Sequence, residues 1–334
     1  MHSKPWRFLP LLWLCLSLIA AADRLPGNQG ELPQKTQTGK LPTDVILVKG
    51  AWSSSSDSAI PLPEDGGIVN NIVYRNDYFH LTYPLPRGWT EKYTGPPPSD
   101  SGYYVLAQIT PADTPQGTLR GSILIAAQDL FFTLTQADSA LELINYTKEH
   151  LSADYQVERP PTEVRIANHS FVRFDYVSPV AELHWHILAT EIRCHVVQFV
   201  VTSRDTHLID GLMQQMNTMK LPADRTGEGG DESPVCIRDY ASGGNVLEKE
   251  DPVFPERMFN AVPVRITIDQ KGRIKHIHFL SAFPSQAKSI TDALQQWRFR
   301  PYLREGKPVE VETGILFGHS PRPSTPPAAR SLSP

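Results

Sequence analysis

Apolar and polar residues alternate along two stretches of the chain, and the pattern fades before, between and after them. In the first stretch, residues 78–83 read as a strand closed by Pro84, Pro86 and Gly88. Residues 103–110 and 122–127 are two more strands, dense in Val, Ile and Leu. Ala140, Leu141, Ile144 and Leu151 then recur at helical spacing. Ser170, Val172, Phe174 and Tyr176 alternate with polar partners. Leu183, Trp185, Ile187 and Ala189 alternate with Glu182, His184 and His186, and a two-residue turn at Thr190-Glu191 would return the chain along residues 193–201. Leu208, Leu212, Met216 and Met219 stripe a closing helix that ends before Pro222. Strands then a helix, twice over, predict an α+β arrangement: an antiparallel sheet with packed helices.

The second stretch is shorter. Residues 262–268 alternate up to Asp269-Gln-Lys-Gly272, a turn in which Gly supplies positive φ, and residues 273–281 return as the partner strand. Residues 285–296 form a short helix with Ile290, Ala293, Leu294 and Trp297 on one side. A turn at residues 304–308 leads to a last strand, residues 309–317, so the predicted unit is ββαβ.

Segments without periodicity set the predicted boundaries: a signal peptide over 1–22, a low-complexity linker over 23–70, an α+β domain over 71–221, a flexible linker over 222–245, a second domain over 246–319 and a disordered tail over 320–334. Lys4 and Arg7 precede an apolar run that ends in Ala20-Ala21-Ala22, the pattern of an export signal. The run is interrupted by Pro10 and stops at Asp23, short of the ~20 apolar residues of a comfortable membrane span. Left uncleaved, residues 8–22 would instead anchor the chain in the inner membrane, facing the periplasm.

Thirty-six acids against 32 bases give a formal charge of −4, and removing the signal makes it −6. That balance argues against a nucleic-acid binder, which neutralises phosphates with a basic excess. Export permits a disulfide between the two cysteines left, Cys194 and Cys236, but spacing alone does not decide whether they pair.

Short motifs carry more than composition does. Ile268-Asp269 with Gly272-Arg273-Ile274, then Ala293-Leu-Gln-Gln-Trp-Arg-Phe-Arg-Pro301, then Gly306-Lys-Pro-Val309, resemble the TonB C-terminal domain family. Asp251-Pro-Val-Phe-Pro-Glu256 is similar to that domain's proline-bearing entry, although the chain between Pro255 and Val264 is a few residues short and Val262-Pro263 stands where the family often has Gly. More loosely, the run from Tyr78 to Trp89 and the element order over about 75–221 resemble the PsbP/Mog1-like fold. The TonB resemblance implies a binding module, not an enzyme, and no cofactor. In that family the last strand offers its edge to an extended peptide of an outer-membrane receptor, and main-chain hydrogen bonds give affinity. Here the edge would be residues 309–317, with Val309, Val311, Thr313, Ile315 and Phe317 on one face. The partner expected is an extended segment of an envelope protein; if residues 8–22 remain as an anchor, inner-membrane motor proteins are added and the chain would instead be a TonB-type energy transducer for outer-membrane transport.

A competing reading is metal binding. With the turn at Thr190-Glu191, His186 would face His195 and His184 would lie on the same face, three imidazoles converging as in a zinc site. No carboxylate or thiol ligand is evident on that face. The chain also has no nucleophile elbow, P-loop, His-Glu-x-x-His or Cys-x-x-Cys motif.

Overall fold

The structure is a computed structural model. It describes residues 61–93, 101–113, 120–133, 135, 137–222, 234–254 and 261–318, together with two short strands at 45–47 and 55–57. The signal-peptide reading of 1–22 and the tail over 320–334 lie outside these residues.

In chain order the strands begin with β1 (Val45–Leu47), β2 (Ser55–Asp57), β3 (Gly67–Val69), β4 (Val73–Asn76) and β5 (Leu81–Pro84). The next seven are β6 (Trp89–Tyr93), β7 (Tyr103–Pro111), β8 (Ser122–Asp129), β9 (Gln156–Ile166), β10 (His169–Ser178), β11 (Leu183–Ile192) and β12 (His195–Ser203). These seven make one antiparallel sheet in the order β6-β7-β8-β12-β11-β10-β9. Helix α1 (Ala140–Glu149) starts where the Ser139 hydroxyl accepts from the Glu142 N–H, and α2 (Thr206–Gln215) where Asp205 accepts from His207 and Leu208. Alternation along the strands sorts the sheet's side chains into two cores. One gathers Phe171, Leu188, Val197, Phe199 and Ile123 under α2 and the β3-β4-β5 meander. The other packs Val172, Phe174, Ile187, Ala189 and Val196 beneath Ile144 of α1.

The C-terminal part continues with β13 (Val235–Cys236), β14 (Val246–Glu248), β15 (Val262–Ile268) and β16 (Ile274–Phe279). Helix α3 (Pro284–Leu294) follows, then β17 (Arg298–Phe299), β18 (Tyr302–Arg304), β19 (Lys307–Val309) and β20 (Val311–Phe317). Pro284 stands at the first turn of α3, and the Gln286 side chain reaches back to the Phe283 N–H, so the helix begins there. The sheet runs β1-β2-β16-β15-β20-β13, with β13 parallel to β20. All seven residues of β15 are buried, because both faces of this strand are covered. One face packs on α3 through Val264, Ile266, Ile290, Leu294, Trp297 and Phe299. The other packs on the seven-stranded sheet, and Leu280, just past β16, joins the first sheet's core.

Two expected boundaries move. Leu62 is buried and β3 begins at Gly67, so the linker expected over 23–70 gives way to folded chain from Pro61. The linker expected over 222–245 also ends early. From Pro234 the chain is ordered, with β13 on the second sheet and Tyr240 inside its core. Low local apolar content hides a two-residue strand whose stability comes entirely from the sheet it joins. No helix among the described residues is long and apolar enough to cross a membrane.

Candidate functional site: a sheet edge and the charged interface behind it

Along β20 the backbone divides by parity. In an antiparallel ladder, consecutive residues turn their N–H and C=O groups to opposite sides. Pro263 accepts a hydrogen bond from the Leu280 N–H on the β16 side (3.1 Å), so its partner Leu316 points its own backbone groups away from β15. The same parity holds at the other end. Glu310 and Glu312 accept from Val235 and Ile237 at 2.8 and 3.0 Å, on the side opposite β15. The outer edge therefore belongs to Glu310, Glu312, Gly314 and Leu316. β13 covers the first two, and strand pairing there stops at Glu312. Among the described residues, the edge groups of Gly314 and Leu316 have no strand paired to them.

The residues singled out from sequence sit otherwise. Val311 and Phe317 are in the core under α3, Ile315 packs against that core, and Thr313 is fully buried with its hydroxyl donating to Arg238 O at 3.0 Å. Val309 lies in the short β19, paired with Tyr302. Val311, Thr313, Ile315 and Phe317 are paired with Ile268, Ile266, Val264 and Val262 of β15. Hydrophobic alternation reports which face a side chain takes. It does not report which neighbour the backbone serves, and so Gly314 and Leu316 escaped notice.

On the opposite face of β20, Glu312 and Gly314 meet the seven-stranded sheet. A Cβ on Gly314 would lie 2.6 Å from Phe131 Cβ and 3.0 Å from Phe132 Cζ, so only glycine permits this approach. Beside it lies a buried charge cluster. Arg265 is enclosed between Asp129 of the first sheet, which its Nη2 contacts directly, and Glu312, whose Oε1 is 2.7 Å from its Nη1. Nη1 also donates to Tyr78 Oη (3.2 Å) and Arg193 O (3.3 Å), and Nη2 to His195 Nε2 (2.9 Å). His195 Nδ1 in turn donates to Arg193 O at 2.8 Å, so the ring is the neutral Nδ1–H tautomer. Burial and the Arg265 cation both hold its pKa well below the ordinary value. Burial raises the Asp129 pKa, and Arg265 opposes that rise. His278, directly across from Arg265 in the β15–β16 ladder, is pushed down to about 3 by burial and by the same cation. A cavity of about 10 Å³ between Arg265, Thr267, His276, His278, Tyr78 and Glu312 has room for one water and no larger ligand.

The turn joining β11 to β12 brings this cluster together. It is Arg193-Cys194, with φ of 48° and 61°, not Thr190-Glu191. Two successive left-handed residues suit a hairpin but are strained outside Gly, Asn and Asp, by about 1–3 kcal/mol each. The strain is held by contacts. Arg193 lies over the Tyr78 ring at 4.2 Å and donates to Tyr78 O, while Cys194 is bonded to Cys236 of β13.

The changed register also separates the three histidines. His186 pairs with Val201 and His195 with Ile192. His195 is thus six residues along β12 from the partner of His186, roughly 20 Å at ~3.3 Å per residue. His184 instead pairs with Glu158 (3.0 Å), and His186 Nδ1 lies 3.1 Å from Arg173 Nη2 beside the buried Asp175. Among the described residues no group of three or more His, Cys, Asp or Glu is placed to hold a metal.

Among the described residues, the arrangement is a β-sheet module with a short open main-chain edge along β20, backed by a second sheet through a charged interface. Residues 256–318 match the family model of the Gram-negative bacterial TonB protein C-terminal. The solution structure of cyanobacterial PsbP (CyanoP) from Synechocystis sp. PCC 6803 is similar at a TM-score of 0.31 and 14% identity, covering 47% of this chain and 96% of that one. Among curated proteins none matches this chain.

Proposed function

We propose that this is an exported envelope protein whose C-terminal sheet binds an extended segment of another envelope protein as an added strand along β20. Residues 61–222 and 234–318 then act as two units: a PsbP/Mog1-like backing domain and the binding module it braces. The observation that carries the reading is the main-chain edge at Gly314 and Leu316, which no strand among the described residues pairs, within the segment that matches the TonB C-terminal family. The Cys194–Cys236 bond supports an oxidising compartment, here the periplasm. The occupant is a strand of few residues from an outer-membrane receptor, since four edge groups are open among the described residues and main-chain hydrogen bonds supply the affinity.

Leu316→Pro tests this. It deletes one edge donor and leaves the β15 ladder untouched, because Leu316 faces outward and its side chain is 43% exposed. Synthetic peptides copying extended segments of outer-membrane receptors should bind the full chain. Binding to Leu316→Pro should be about five- to tenfold weaker, for a lost hydrogen bond worth ~1 kcal/mol. Leu316→Ala should bind as the unsubstituted protein does. Equal binding to a folded Leu316→Pro protein would refute strand addition at this edge.

A further inference from the structure

The two edge residues that are closed, Glu310 and Glu312, are closed by the protein's own chain, and that segment is fastened covalently. Val235 and Ile237 donate to Glu310 O and Glu312 O, and Arg238 O accepts from Thr313. The sulfur of Cys236, between them, is bonded to Cys194 on the strained turn of the first sheet, 42 residues away in sequence. We propose that residues 235–237 form a redox-held strap over half of the binding edge, released when a dithiol reductant opens the Cys194–Cys236 bond. The functional consequence rests on the strand-addition reading, while the release itself does not.

Three features support a strap over a permanent strand. The pairing is only two residues long, so few main-chain bonds hold it once the sulfur bond is gone. Beyond Thr313, its outer end is held by Arg238, which bonds Ala137 O and pairs with Asp138, a side chain 73% exposed and so a weak clasp. Tyr240, buried in the second core and bonded to Arg300 O, gives a fixed point from which the strap can swing and return.

The chemistry balances. A thiolate of the reductant attacks Cys236 Sγ, the sulfur of the less buried residue, and the S–S bond breaks with Cys194 leaving as thiolate and taking up a proton. The second thiol of the reductant then attacks the mixed disulfide and releases Cys236 as a thiol. The reductant ends as a disulfide, having given two electrons and two protons. A place is already made for the new Cys194 S–H: Glu312 Oε2 lies 3.5 Å from that sulfur and can accept from it. The reductant class is a dithiol, free or on a thiol–disulfide oxidoreductase.

The test is residue-resolved amide hydrogen exchange on the full chain, before and after dithiothreitol, with Cys194→Ser/Cys236→Ser as a permanently open reference. Exchange at Val235 and Ile237 should accelerate at least tenfold in the reduced protein and in the double variant, while Val264 and Ile266 in the β15 ladder keep their rates. Unchanged rates at Val235 and Ile237 would overturn the proposal. So would loss of protection throughout the chain, because the bond would then be holding the fold and not a strap. Receptor peptides distinguish strap release from strand addition. Binding at least tenfold tighter after reduction supports gating, and equal affinity in both states overturns it. Binding in neither state overturns strand addition, and exchange at Val235 and Ile237 still decides whether the strap is released.

Discussion

Replacing Arg265 by Met removes the cation that pairs with both Asp129 and Glu312 while keeping a flexible side chain of similar length. Asp129 and Glu312 are buried, as is Arg265 itself, and the adjoining cavity has room for only one water, so solvent cannot replace all of the lost contacts. Removing one partner of a buried ion pair costs about 3–5 kcal/mol, because the remaining charge is left uncompensated. Protonation of the stranded carboxylate sets a similar scale. If Asp129 escapes by staying protonated in the folded variant, holding it neutral at pH 7 against an unfolded pKa near 3.9 costs about 1.4 kcal/mol per unit, or roughly 4 kcal/mol. The folded variant then binds a proton that the unfolded chain has lost, so its stability falls as pH rises, and the gap to the unsubstituted protein narrows toward pH 4. Urea unfolding followed by tryptophan fluorescence between pH 5 and pH 7.5 measures both magnitude and slope. Adding Asp129→Asn should recover much of the loss at pH 7. A loss under about 1 kcal/mol at pH 7, or one that does not change with pH, would refute the claim that this cluster carries an obligatory charge at the interface.

Other consequences are simpler. His278 is held near a pKa of about 3 and His195 well below its ordinary value, so each is neutral when folded and takes up a proton when unfolded in mild acid. Each therefore removes roughly 1.4 kcal/mol of stability per pH unit below about 6.5, and His278→Gln should flatten the acid limb of a stability–pH curve by about that slope. An unchanged slope would contradict the burial of His278. Gly314→Ala should cost about 1–3 kcal/mol, because its methyl group meets Phe131 and Phe132 across the interface. A neutral result in a thermal melt would show that the two sheets do not pack here as described. Leu316→Pro should weaken peptide binding with little effect on stability, whereas Thr313→Pro should do the reverse, since Thr313 pairs inward with Ile266.

Much of the scaffold was readable in advance. Period-two alternation located the main strands because successive side chains go to opposite faces of a sheet, and the stripe of Leu208, Leu212 and Met216 located α2 because that face packs on the core. What escaped depends on partners distant in sequence. The Arg193-Cys194 turn carries neither Gly nor Asn, so its left-handed backbone has no local signal, and a shift of the turn by three residues moved His195 away from His186. Arg265 reads as a solvent-facing strand residue until the first sheet covers it, and only then do Asp129 and Glu312 become its counterions. The strap at Val235 follows a Gly-rich, acidic connector and has no pattern of its own. Its register is set by β20, over seventy residues later. The TonB-type motifs marked the C-terminal module, and only the ladder showed which residues of its last strand face outward.

The most direct measurement of the central claim is the site of peptide contact on the full chain. With an isotopically labelled protein and an unlabelled receptor peptide, strand addition along β20 predicts intermolecular contacts from the peptide backbone to Gly314 and Leu316. It also predicts slowed exchange of those two amides, and no change at Ile315, whose backbone serves β15. Contacts confined to α3, to the β18–β19 hairpin or to the first sheet, with the Gly314 and Leu316 amides exchanging as in the free protein, would contradict it.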